Sequence, residues 1–204
     1  MRADNYQKDV KIVVTSAPAT EPITAAELKT SLRIDASDED TFLGTLIAAA
    51  REIVEDMTAR RMITRSEKLL LDSWPEGDTI IIPVAPVTAV GAIVTKDEDD
   101  VSTAFASSNY IVDTSGPVAK IVLKSGSSWP TLGTDAKPVN AIEIPFTSGY
   151  ASAGAVPAKM KLAVKLLAGH YYENRENSTP LNIHDIPMGI RAILTPLRVW
   201  EAML

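Results

Sequence analysis

Thr147-Ser148-Gly149-Tyr150-Ala151-Ser152-Ala153-Gly154-Ala155-Val156-Pro157 is where the chain changes character. Short β-prone runs precede it, and an apolar helical repeat follows. Gly149 and Gly154 bracket small residues. Pro157 suits the first position of a helix, where a missing N–H costs nothing. The stretch reads as a flexible connector from strand to helix. An inserted β module would return to a helical core in the same way.

Beyond it, Met160, Val164, Leu167, Ala168, Tyr171 and Tyr172 line one broad helical face. Leu162 and Leu166 widen that face, which predicts burial on more than one side. Residues 174–184 are polar and loop-like. Asp185 can cap a last helix with Pro187 in its first turn, and Pro196 must kink or end it. The chain closes on Ile190, Ile193, Leu194, Leu197, Trp200 and Met203, with Arg191 and Arg198 among them. So apolar a segment needs a surface to pack on. The pattern alone weighs its own core and another chain equally, although aromatic anchors beside Arg are typical of interfaces.

Before the connector lie Lys68–Leu71, Thr79–Ile82, Val90–Val94, Tyr110–Val112, Lys120–Leu123 and Ala141–Ile144, separated by Pro, Gly, Asp and Ser. Pro83, Pro86, Pro130 and Pro138 mark edges and turns. Trp74-Pro75 and Trp129-Pro130 read as loop anchors. Earlier still, Thr24-Ala25-Ala26-Glu27 is a capping box opening a short helix with Leu28 and Leu32 stacked. Ser37 is the expected cap of a longer helix running to Arg61. Its apolar stripe comprises Phe42, Leu43, Leu46, Ile47, Ala50, Ile53, Val54 and Met57. Residues 1–22 read as an arm with a short strand at Val10–Val14.

The predicted fold class is therefore α+β: a small helical bundle with an inserted antiparallel β module. The expected divisions are an arm (1–22), bundle core (23–65 and 148–186), β module (66–147) and C-terminal segment (187–204).

Composition excludes several function classes. The chain has 204 residues, 46% of them hydrophobic, and a formal net charge of −6. That charge gives no basic footprint for sequence-specific DNA binding. No apolar run is long enough to span a membrane, and residues 1–6 lack a signal-peptide core. With no cysteine, disulfides, zinc-thiolate sites and cysteine nucleophiles are all removed.

Chemistry-bearing residues are sparse. His184 adjoins Asp185, but no Ser or Lys is placed beside them as a nucleophile, so a catalytic base is not expected. His170 falls within the apolar helix and is expected to be packed or interfacial. Asp97-Glu98-Asp99-Asp100 lacks the Gly and distal Glu of a calcium loop and reads as a solvated hairpin turn. No Gly-rich phosphate loop occurs. No catalytic residue, metal ligand or cofactor is predicted.

Several segments in order resemble the head-tail connector (adaptor) family of tailed bacteriophages, over roughly residues 22–200. They begin with Ile23-Thr24-x-x-Glu27-x-Lys29, the Asp38–Arg61 helix and Pro83-Val84-x-Pro86-Val87-x-x-Val90. Tyr110-x-Val112, Trp129-Pro130 and Ser148-Gly149-Tyr150 follow. Val156-Pro157, Tyr171-Tyr172-x-Asn174-Arg175-Glu176 and Ile186-Pro187-x-Gly189-Ile190 complete the series. Prophages and gene transfer agents carry similar proteins.

The resemblance implies a non-enzymatic virion protein at the head-tail interface, assembled in the bacterial cytoplasm. It implies a ring, usually dodecameric, beneath the portal protein. Such a ring extends the conduit for double-stranded DNA, without sequence-specific binding, and meets a tail-side stopper or head-closure protein. Carried over, it makes Ile190, Arg191, Ile193, Leu194, Leu197, Arg198 and Trp200 the expected portal-docking interface. Phe42, Leu46, Ile53, Met160, Val164, Leu167 and Tyr171 are the expected subunit-packing positions. Deleting residues 190–204 is expected to leave a folded chain that no longer binds portal. The alternative is a DNA-packaging factor resembling a terminase small subunit. The mixed charges Arg51, Glu52, Glu55 and Asp56, expected on the exposed side of the long helix, weigh against it.

Overall fold

Thr24 opens the first helix as its spacing predicts. The computed structural model describes residues 10–174 and 188–199. In it, the Thr24 hydroxyl accepts from the Glu27 amide at 3.1 Å, and Glu27 accepts from the Thr24 amide at 2.8 Å. Helix α1 spans Ala25–Leu32, α2 Asp40–Thr58, α3 Ala158–Glu173 and α4 Met188–Leu194. Between α2 and α3 the described residues form antiparallel strands, so the chain is mixed α+β.

Two units result. Residues 18–64, 150–174 and 188–199 form a helical unit, and residues 10–17 and 65–149 form a β unit. The helical core is built from Leu28, Leu43, Ile47, Val54, Met160 and Leu167, with neighbours from the same helices.

Helix α2 covers its apolar stripe but stops short of the expected end at Arg61. Ser37 is not its cap: Glu39 occupies that position without a side-chain cap bond, and the Asp40 amide donates to the Ser37 carbonyl. The helix stops at Thr58, with Ala59 in the left-handed region at φ 54°. That turn lets the chain double back, so the Met62 amide donates to Glu55 Oε1 at 2.7 Å. Arg60 and Arg61 consequently lie beyond the helix. Helix α3 begins one residue later than predicted, with Pro157 as its cap. Asp185 and Pro187 lie outside the described residues. Pro196 acts as expected: the α-helix ends at Leu194 and a 3-10 turn, Thr195–Leu197, takes over.

The β unit has a six-stranded and a three-stranded sheet. Strands β1 (Lys11–Ser16), β2 (Arg65–Leu71), β4 (Val87–Val90), β5 (Val94–Lys96), β6 (Ser102–Ala104) and β9 (Ile142–Ser148) form the first. Its order is β1-β2-β9-β5-β6, with β4 also on β9. Strands β3 (Thr79–Ile82), β7 (Tyr110–Asp113) and β8 (Ala119–Leu123) form the second, ordered β3-β8-β7. Alternation on β2 and β9 turns Leu69, Leu71, Ile142, Ile144 and Phe146 inward, where they meet Ile80, Ile82 and Ile121.

The run expected as one strand at Val90–Val94 is divided. Val90 ends β4 and Val94 starts β5, and both pair with β9. At the break the Gly91 amide donates to the Pro145 carbonyl at 2.7 Å. A Cβ on Gly91 would stand 2.9 Å from the Pro145 ring, so only glycine admits this approach. Pro145 thus sits inside a central strand, where its missing donor faces the gap between two partners. Strand β9 runs four residues past its predicted end, and β6 was not predicted. The acidic run forms the β5–β6 turn: Asp97 Oδ1 accepts from the amides of Asp99 and Val101.

Candidate functional site

The C-terminal segment is the sequence's main candidate, and its described part folds onto its own helical unit. Ile190, Leu194 and Val199 are buried in that unit. Hydrogen bonds fasten the segment to the end of α2, where the last carbonyls of a helix lack intrahelical partners. Arg198 Nε donates to the Met57 carbonyl at 3.0 Å. The Val199 amide donates to the Thr58 carbonyl, also at 3.0 Å. In return, Arg60 Nε donates to the Leu197 carbonyl at 2.7 Å. Two arginines and a backbone amide therefore close the seam.

Of the expected docking residues, Ile190 and Leu194 are enclosed in the chain's own core. Ile193, Leu197 and Arg198 are half-buried, and Arg191 is exposed. Trp200 and His184 lie outside the described residues. Burial argues against the expectation that the chain stays folded without residues 190–204. That deletion takes out Ile190, Leu194 and Val199, all of which complete the core.

The expected packing residues divide the same way. Met160, Val164 and Leu167 have no exposed surface, so their side chains are committed within the unit. Leu46, Ile53 and Tyr171 are half-buried against that core. Phe42 is exposed, 6.5 Å from the Tyr172 ring, and Tyr172 donates to Glu39 Oε2. Leu162 and Leu166, expected to be buried, are 47% and 46% exposed one turn apart on α3. His170 is half-buried beside Tyr171, with its ring 5.9 Å away.

A second correction concerns α2. Arg51 and Glu55, expected on its exposed side, point inward and are 5% and 2% exposed. Arg51 Nε meets Glu21 Oε2 at 2.8 Å, and Nη1 meets Glu55 Oε2 at 3.2 Å. Glu55 also takes the Met62 amide, so one carboxylate joins the helix to the chain leaving it. Burial works against the Arg51 charge. The Glu21 hydrogen bond and the surrounding carboxylates outweigh it and raise its pKa above the ordinary value. Only Glu52 and Asp56 remain on the outer side. Helical periodicity could have placed Arg51 and Glu55 on the Ile47–Val54 face, but their charge argued the other way.

The β unit contains a comparable cluster. Arg65 and Glu67, buried at the start of β2, lie 3.2 Å apart, and Ser148 at the end of β9 donates to Glu67. On the outward face, Glu143 lies between Lys68 and Lys96, at 3.0 and 3.1 Å. Partial burial raises the Glu143 pKa, but hydrogen bonds from both lysines prevail and hold it below the usual carboxylate value. Trp74 and Trp129 stack at 4.8 Å, and Trp129 Nε1 donates to the Gly77 carbonyl, which fits the anchor reading. Among the described residues no three His, Asp or Glu side chains form a metal cage, and no helix is long and apolar enough to cross a membrane.

These features are built for packing, and known proteins point the same way. A chain in the neck of an empty gene transfer agent particle, computed with sixfold symmetry, superposes with a TM-score of 0.77 at 29% identity. That match covers 92% of this chain and 95% of the other. A chain in the virion of a native gene transfer agent particle gives 0.76 at 29% identity, covering 92% and 94%. One in the native neck computed with twelvefold symmetry gives 0.65 at 28% identity, covering 90% and 94%. No curated protein matches the sequence. Residues 21–199 match the head completion protein family, so the chain belongs to that structural, non-enzymatic family.

Proposed function

We propose that this chain is a head-tail adaptor subunit in the neck of a phage-like particle of the gene transfer agent type. Copies form a ring under the portal protein, extend the DNA conduit and receive a tail-side stopper or head-closure protein. The observation that carries this reading is the near end-to-end likeness to a neck chain, over 92% of this protein and 95% of that one. The acidic balance agrees with it. Each lysine–phosphate contact adds salt-dependent affinity, and a conduit for moving DNA works best without strong contacts.

Portal docking by residues 187–204 takes a narrower form than the sequence suggests. Ile190 and Leu194 hold the segment to its own unit, so Arg191, Leu197, Arg198 and residues beyond Val199 are the candidate contacts. Trp200 remains the proposed anchor. The sides of the bundle that subunits would share are proposed around Phe42, Leu162 and Leu166, which are exposed in the single chain.

Removing this chain from particle-producing cells tests the function. The expected product is filled heads and separate tails, seen by electron microscopy. Normally joined particles would contradict the adaptor role. Tight duplex-DNA binding by the purified chain at moderate salt would favour the packaging-factor alternative instead.

A further inference from the structure

Two sheet edges of the β unit stand out. Among the described residues strand β1 pairs only with β2, and Val13 and Val14 are 36% and 47% exposed. Strand β7, at the edge of the other sheet, pairs among the described residues only with β8, and Ile111 and Val112 are 55% and 37% exposed. The remaining edges differ. Strand β6 carries Ser102, Thr103 and Ala104, β4 exposes only Thr88 and Ala89, and β3 buries Ile80 and Ile82. An open edge bearing β-branched residues is a template for another strand unless something covers it.

We propose that the β1 edge of one subunit pairs antiparallel with the β7 edge of the next copy of this chain. The inference rests on the ring reading above and adds, beside the bundle sides proposed there, a strand contact between neighbouring subunits. Lys11–Val14 and Tyr110–Asp113 are each four residues of unbroken ladder, with the irregularity in β1 falling after Val14.

Antiparallel alignment sets Lys11 against Asp113, Ile12 against Val112, Val13 against Ile111 and Val14 against Tyr110. In that register the exposed Lys11 and Val13 share a face with the exposed Ile111 and Asp113. Ile12 and Val14 share the other face with Val112 and the buried Tyr110, so each face brings apolar side chains of both strands together. A slip of one residue would mix the two faces. Charge selects the same register. Asp113 uses Oδ1 for the Ser115 amide and hydroxyl, and its Oδ2 has no partner among the described residues. Lys120 lies across from Asp113 on β8. Lys11 then supplies a cation from the other side.

Because β1 and β7 are different surfaces, the contact is head-to-tail. Such contacts generate a ring when the rotation between copies closes, whereas pairing of β1 with β1 stops at a dimer.

The chain has no native cysteine, so disulfide mapping is clean. A Val13→Cys, Ile111→Cys double variant, assembled on portal rings and mildly oxidised, should give ladders of cross-linked subunits, and each single variant should give none. Lys11→Glu or Asp113→Lys alone should cut ring yield about tenfold through like-charge repulsion at the contact. Combining them should restore it. Unchanged thermal unfolding of all six variants would show that folding is intact. Rings that form normally without cross-links, or cross-linking by Val13→Cys alone, would overturn the pairing while the adaptor reading stands. Failure of the wild-type chain to form rings with portal would overturn both.

Discussion

The two units finish their surfaces differently. The helical unit uses the end of the chain to close itself, with Ile190, Leu194 and Val199 in the core and Arg198 and Arg60 across the seam. The β unit leaves two strand edges open among the described residues, with Val13, Val14, Ile111 and Val112 exposed. An apolar pattern therefore means one thing at the C-terminus and another at the sheet edges. In the first it completes a fold; in the second it awaits a strand. Damage to the helical closure should cost stability, whereas changes on the open surface should cost little.

The largest effect is expected at Glu55. Glu55→Ala leaves Arg51 buried with one neutralising contact fewer and strands the Met62 amide. Breaking a buried pair in this way costs about 3–5 kcal/mol. Urea unfolding should show it as a lower midpoint. A cost below about 1 kcal/mol would mean that water replaces the carboxylate.

Leu194→Ala comes next. Its side chain is fully buried, and such truncations cost about 2–5 kcal/mol depending on how far the cavity collapses. Its destabilisation in thermal melts would separate a closing segment from a loosely attached one. If the variant melted like the parent, the segment would be free to serve only as a docking element.

Thr24→Ala should cost about 1 kcal/mol by removing one half of a capping box. The smallest effect is expected on the open face of the β unit. Glu143→Gln should cost less than about 1 kcal/mol, as for a partly exposed ion pair. Its signature lies in pH. The folded Glu143 carboxyl titrates below its ordinary value of 4.5, so its contribution is present above 4.5 and is lost as pH falls through the folded value. Stability against pH should be flatter in that acidic window for the Gln variant. A parallel pair of curves would show that Lys68 and Lys96 do not act through Glu143.

Much of this architecture was legible in the sequence. The capping box, both helical stripes, the Thr79–Ile82 strand and the break at Pro196 follow from spacing and backbone chemistry. What escaped was set by long-range partners. The α2 terminus depends on Glu55 reaching the Met62 amide, which helical periodicity does not encode. Pro145 is tolerated in a central strand because β9 changes partners there, a fact of topology. Arg51 and Glu55 looked like solvated charges, because burial of an ion pair needs Glu21, thirty residues away, to be in place. The C-terminal segment was ambiguous for the same reason: an apolar stripe does not name the surface it covers.

The most direct test of the neck role is imaging of the purified chain mixed with portal rings. The account predicts a closed ring of this chain, coaxial with the portal and showing cyclic symmetry. Portal rings left bare, with the chain remaining in solution, would contradict it.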